Sequence, residues 1–352
     1  MRILKNLAAA GLAATIAAYG GNAVAQEVPK LHFKALIHDS PSPHVKLIET
    51  PFWSETMVKA SGGQITADAN PLDQLGVADE AVLRLLKLGA FDFASFDIVK
   101  LGGDDARFES CDLSGLAFTF KEARAACNAW RATADRIMQQ NWNAKLLAIG
   151  VAPPQAIFCQ PEIKGIDDLK GKKLRVYSKT MIDFANAVGA TPININFREV
   201  VTAMQNKVVE CAVTGTATGN VSGWTEVSRY LMPISLGWAI NVHVVSLNTW
   251  KKMNPKTQEL ITSEFKKLED KYWETMEMLA GDAENCMVGK QPCRYGKLAN
   301  MTWVNISDAD QAKFKKLMQE TVLKGWAKRA GPAAAKEWTE TVGKVLGMEA
   351  TP

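Results

Sequence analysis

Histidines, cysteines and carboxylates are the residues of this 352-residue chain that could carry chemistry. The four histidines are His32, His38, His44 and His243, and no two stand at the HExxH spacing that grips zinc from one helix face. No GxSxG elbow is present to expose a nucleophilic serine. No GxxxxGK[ST] or GxGxxG loop is present to cradle a phosphate, and Gly215-Thr-Ala-Thr-Gly219 has spaced glycines without the rest of that fingerprint. Asp and Glu number 37, yet no spacing pairs two of them as acid and base. A binding protein is expected, not an enzyme, with no cofactor and no metal ion.

The cysteines are Cys111, Cys127, Cys159, Cys211, Cys286 and Cys293, an even number that in an exported chain favours disulfides. Cys286 and Cys293 bracket a short loop containing Gly289 and Pro292, which suits a local staple; the alternative is two reduced, buried thiols. There is no CxxC and no nearby histidine pair, so zinc is not indicated.

The elements that must position these groups follow from apolar spacing. Leu31 to Ile37 reads as a strand, His38 to His44 as a proline-broken loop, and Val45 to Ala60 as a helix stopped by Gly62-Gly63. Gln64 to Ala69 and Phe91 to Phe96 read as strands around a helix at Ala81 to Leu88. The rhythm returns in strands Lys173 to Tyr177, Thr191 to Ile195 and Val208 to Val213, with helices Met181 to Val188 and Glu199 to Asn206. Two α/β units with crossover helices are implied, and Pro153-Pro154 is a plausible joint between them. Pro255 to about Ala280 is the longest helical pattern; Ile261, Phe265, Leu268, Tyr272, Met276 and Leu279 form one apolar stripe, suited to lying across both units.

Arg2 and Lys5 precede an apolar run from Leu7 to Ala18, and Ala23-Val24-Ala25 is small at both ends. This is the pattern of a secretory signal peptide, residues 1–25, cleaved after Ala25. The run is short of the roughly 20 residues a membrane span needs. Removing it leaves 39 basic against 37 acidic residues, which gives no electrostatic reason to expect nucleic acid or an anionic membrane as partner.

Several segments resemble one family. Asp167-Asp168-Leu-Lys-Gly-Lys-Lys-Leu-Arg175-Val-Tyr is similar to the DLKGxKxRV segment of substrate-binding proteins of tripartite ATP-independent periplasmic (TRAP) transporters, the DctP-like family. Val188-Gly-Ala-Thr-Pro192, Phe197-Arg-Glu-Val-Val-Thr-Ala-Met-Gln205, Val208 to Val213 and Asn248-Thr-Trp250 follow in the family's order. Upstream, Gly62-Gly63-Gln-Ile65, Gln74-Leu-Gly76 and Leu88-Gly-Ala-Phe-Asp92 also fall in place, so the resemblance spans roughly residues 31 to 280. It implies an α/β, two-lobe periplasmic solute-binding fold with crossing strands at the hinge and a long bracing helix. The first lobe would be 26–152 plus about 241–281, the second 153–240 plus about 282–352. It implies a periplasmic receptor that captures a small organic acid and passes it to membrane permease subunits.

Arg175 is the residue that the resemblance assigns to the ligand carboxylate, and a planar, always-charged guanidinium fork suits that task. Gln155 falls where some members carry a second arginine, which points to one carboxylate anchor plus an amide. Phe197 aligns with an aromatic that packs on the ligand, and Thr214 with a polar contact. Trp238, after Gly237, lies at the lobe crossing and could cover a ligand or be core. From the first lobe, Ser95, Phe96 and Asp97 end a strand at the expected cleft edge. Asp97 would repel an anion unless it accepts a hydrogen bond from a ligand hydroxyl. Cys159 and Cys211 lie on expected strands of the second lobe and would bond if those strands are neighbours; Cys111 and Cys127 remain as a pair or two free thiols. Ten Trp and thirteen Phe tilt the expected ligand toward a monocarboxylate with an apolar or aromatic body, with small hydroxy acids and dicarboxylates as alternatives.

Overall fold

The computed structural model describes residues 27–352, and the segment read as a signal peptide lies outside them. β1 (Leu31–Ile37) runs into a loop broken by Pro41 and Pro43. Residues 45–60 are helical, with wide i→i+5 turns at Val45–Glu49 and Phe52–Thr56. Gly62 and Gly63, at φ +61° and +81°, end that helix in the left-handed region that glycine tolerates without strain. β2 (Ile65–Pro71) and β3 (Phe93–Asp97) then flank β1, both parallel to it.

The chain next forms a helix at Phe120–Trp142, opened by a capping box between Thr119 and Glu122 that the apolar spacing above does not single out. β4 (Ala144–Gly150) closes the first sheet on one side. After four intervening residues, Pro153-Pro154 among them, β5 (Gln155–Cys159) starts the second sheet. β6 (Lys173–Val176), β7 (Thr191–Asn194), β8 (Cys211–Gly215) and β9 (Tyr230–Met232) belong to that second sheet. The strand read at Val208 to Val213 begins at Cys211 instead, because Lys207 takes a positive φ of 58° and the chain turns there. Residues 233–240 cross back, and β10 (Asn241–Ser246) inserts antiparallel between β3 and β4. β11 (Thr302–Trp303) pairs with β9. The orders are β2-β1-β3-β10-β4 and β11-β9-β5-β8-β6-β7, so the fold is two α/β lobes joined by two crossing segments.

The helix Pro255–Met287 is seven residues longer than its apolar stripe suggests. Asn254 caps its start by accepting from Thr257 N–H, with Pro255 in the first turn. All six stripe residues are buried, each contributing about 1.5–3 kcal/mol of apolar burial. Trp273 Nε1 donates to Ile149 O at the end of β4, while Met287 packs in the core beneath β5 with Phe158 and Trp224. One rod is thus fixed to both lobes. The C-terminal helices clasp both as well: Phe314 packs edge-on to Phe184, while Trp326 and Trp338 donate to Ala106 O and Ser110 O.

Three disulfides are present: Cys111–Cys127, Cys159–Cys211 and Cys286–Cys293. Cys159 and Cys211 sit directly opposite each other on the antiparallel pair β5 and β8. Cys111 and Cys127 link the segment before the Phe120–Trp142 helix to the helix itself.

Candidate functional site

Strand polarity brings the ends of both sheets to one cleft. β1 and β3 deliver His38 and Asp97 from their carboxyl ends, and antiparallel β10 delivers Asn241 from its start. From the other sheet, β6 leads directly into Tyr177, β8 ends at Gly215, and antiparallel β5 begins at Gln155. Ligands of open α/β sheets gather at such carboxyl ends. These residues line a cavity between the lobes.

Arg175 lies on the second-lobe wall and is 2 % exposed. Its Nε donates to Ile195 O (3.0 Å) and its Nη1 to Val213 O (2.7 Å), which fix the plane of the guanidinium. It stacks between Tyr177 (5.0 Å) and Trp224 (5.7 Å). No carboxylate of the described residues pairs with it. Of five N–H donors, both on Nη2 and one on Nη1 are left for a ligand. Burial lowers its pKa to about 10, with Tyr177 and Asp97 opposing, so it stays cationic at neutral pH.

Around it, Gln155 is already committed: its Nε2 donates to Pro153 O (3.0 Å) and its Oε1 accepts from Tyr177 O–H (2.9 Å). It holds Tyr177 upright at the cavity wall. Thr214 and Phe197 both line the cavity, and Phe197 stacks on Trp224, which backs Arg175.

The first-lobe wall is also polar. Asp97 and Asn241 are opposite residues of β3 and β10, both buried, and Asp97 Oδ1 and Asn241 Oδ1 have no hydrogen-bond partner among the described residues. Burial raises the Asp97 carboxyl to about pKa 6; Lys100 opposes this and Asp79 adds to it. Lys100 is held by Asp79 at 2.6 Å, and Asp79 also accepts from Asp97 N–H. His44 is buried with both ring nitrogens unpartnered, and burial, reinforced by His38, lowers its pKa to about 3, so its ring is neutral. Behind it, Glu49 accepts from Tyr272 O–H, Ser95 O–H and His38 N–H.

The structure thus gathers Arg175, Gln155, Phe197, Thr214 and Asp97 in one cavity, and leaves three of the expected residues outside it. Ser95 points to Glu49 instead, and Phe96, on the alternate face of β3, is fully buried. Trp238 is core: its Nε1 donates to Ala117 O, its backbone N–H to Asp112, and its ring meets Phe120 edge-on at 4.7 Å. The residues that sequence reasoning passed over are Asn241, Tyr177 and Lys100. Tyr177 carried a signal, since it lies two residues beyond Arg175 and so shares its side of the strand. Asn241 and His243 are polar residues in an otherwise apolar strand.

The sequence profile of the bacterial extracellular solute-binding proteins, family 7 (DctP), matches residues 37–329. The chain belongs to this family. A curated relative of the solute-binding protein is the sialic acid-binding periplasmic protein SiaP of Vibrio cholerae, 25 % identical over 270 residues, or 76 % of this chain and 79 % of the relative. The fold matches a Bordetella pertussis extracytoplasmic solute receptor binding pyroglutamic acid (TM-score 0.78, 17 % identity, 89 % of this chain and 99 % of the other). It matches equally a TRAP periplasmic solute-binding protein of Desulfovibrio salexigens with bound orotic acid (TM-score 0.78, 20 % identity, 90 % and 98 %). Among the described residues of the solute-binding protein, no helix is long and apolar enough to cross a membrane.

Proposed function

We propose that this solute-binding protein is the periplasmic receptor of a TRAP transporter, that it captures a small organic carboxylate on Arg175, and that it hands the ligand to membrane permease subunits. The observation that carries the reading is Arg175 itself. A buried, ionised guanidinium is costly without an anion, and here its free N–H groups face an interlobe cavity with no protein carboxylate paired to them. A bound carboxylate would supply the missing charge in the bidentate geometry the fork favours. Receptors of the same fold bind pyroglutamate and orotate, both carboxylates.

A single carboxylate is favoured, because Gln155 spends its amide on Pro153 and Tyr177 and the other cation of the cavity, Lys100, is paired with Asp79. The aromatic content that suggested an apolar ligand body is mostly packed in the cores, leaving Tyr177 and Phe197 as the Tyr and Phe side chains that line the cavity. A thermal-shift screen of the purified mature chain tests the reading. Ligand that binds only the folded state raises the melting temperature. A rise with a carboxylate and none with its amide supports the proposal; a rise of equal size with both removes Arg175 as anion anchor.

A further inference from the structure

We propose that Asp97 and Asn241 set the specificity of this site, and that the ligand is a carboxylate carrying an O–H or N–H donor at the end away from Arg175. The inference rests on the reading of Arg175 as carboxylate anchor and adds the other half of the ligand.

The two residues are directly opposite on antiparallel β10 and β3, so their side chains emerge on the same face. Both line the cavity, from the lobe facing Arg175. Asp97 is 4 % exposed and Asn241 1 %, and an acceptor oxygen of each lacks a donor. Natural proteins pair the great majority of buried polar atoms, and an unpaired pair that lines a cavity is explained by a ligand that completes it. No protein donor meets these two oxygens: Lys100 Nζ donates to Asp79, and the Asp97 backbone N–H also goes to Asp79.

The chemistry of the missing group follows. Both unpaired atoms are acceptors, so a ligand end that donates is the one that completes them. An apolar end would bury both oxygens unpaired. A second carboxylate would meet the charge of Asp97, which Arg175 already senses. A hydroxyl or ring N–H meets the need, and a hydroxyl can in addition accept from the neutral ring of His44, whose two nitrogens are also free. Sites that hydrogen-bond a ligand group discriminate strongly against analogues lacking it, because their own polar atoms are then left bare.

The test is calorimetric titration of the purified chain at pH 7.5 with carboxylates matched in skeleton: pyroglutamate against cyclopentanecarboxylate, gulonate against hexanoate, orotate against benzoate. In any pair that binds, the donor-bearing acid is expected to bind tenfold or more tighter than its partner. Asp97→Leu should erase that preference and Asp97→Asn should keep most of it; should Asp97→Leu fail to fold, Asn241→Ala carries the same comparison. A donor-free acid that binds the wild type as tightly as its partner overturns the proposal, as does a preference that survives in folded Asp97→Leu. Arg175→Gln separates the two readings. If it loses every acid while the pairs show no preference, the anchor stands and only the present inference falls; if it binds as the wild type does, both fall.

Discussion

Asp39 and Arg198 meet across the mouth of the cavity, with Asp39 Oδ1 2.7 Å from Arg198 Nη2. Asp39 follows β1 in one lobe and Arg198 follows β7 in the other, so the pair is a bond between lobes. Asp73, in the first lobe and fixed by Ser40, adds its field to the same guanidinium. On the proposed function a ligand enters by parting the lobes, which would break this contact. The pair therefore acts on the closed state alone.

Arg198→Ala should accordingly speed ligand release. Partly exposed pairs are worth about 1 kcal/mol or less, which corresponds to up to about a fivefold faster dissociation. Added salt should narrow the difference between variant and wild type. Stopped-flow displacement measures it, and identical dissociation rates in low salt would show that the pair does not latch the lobes.

Arg175→Ala should reduce carboxylate affinity by at least about 100-fold, since stripping one partner from a buried charge pair costs about 3–5 kcal/mol. The unbound protein should melt at the wild-type temperature or slightly above it, because the variant no longer buries a cation without a counter-ion. Calorimetric titration and a melting curve of the same sample read both effects. A large drop in melting temperature with modest loss of affinity would mark Arg175 as a structural residue.

Much of the first lobe and the Arg175 strand could be read from the chain because their strands alternate or sit next to glycine punctuation. β10 escaped because it is buried on both faces, and a strand with no exposed side and no glycine at its ends offers no alternation or punctuation to read. Arg175 was legible through its motif and Asp97 through its place at the end of a strand, but Asn241 was not: it lies 144 positions from Asp97, and only the insertion of β10 beside β3 makes them neighbours. Trp238 misled for the same reason. Its place at the crossing was right, yet whether a tryptophan there faces ligand or core depends on Asp112 and Ala117, which bind its two N–H groups from a distant segment.

Glu109 offers a test by pH. Its Oε1 accepts from Thr180 N–H at 3.1 Å and its Oε2 lies 3.6 Å from Arg329, yet burial raises its pKa from 4.5 to about 7. The folded protein holds this proton more tightly than the unfolded chain does. The resulting stabilisation is complete below about pH 4.5 and is lost as pH rises through about 7. Glu109→Gln cannot lose a proton. Its stability relative to wild type should therefore climb between pH 5 and pH 8, by an amount on the order of 2–3 kcal/mol. Denaturant melts at four pH values check it, and parallel stability curves would show that Glu109 titrates normally.

Gly219 tests how the cavity wall is supported. A Cβ there would stand 2.5 Å from Phe158 Cζ and 3.0 Å from Thr214 Cγ2, too close for either to remain in place. Phe158 is fully buried and meets Trp224 edge-on, and Trp224 backs the guanidinium of Arg175. The displaced ring is packed against Trp224, so overpacking should cost about 1–3 kcal/mol of stability in Gly219→Ala. The strain should also travel through Trp224 to tilt Arg175 and through Thr214 to narrow the site, weakening ligand binding although position 219 does not line the cavity. Pairing Gly219→Ala with Phe158→Leu makes room for the methyl group and should return part of both losses. Affinity left at the wild-type value in Gly219→Ala, alongside a lowered melting temperature, would mean that the packing behind Arg175 does not set its aim.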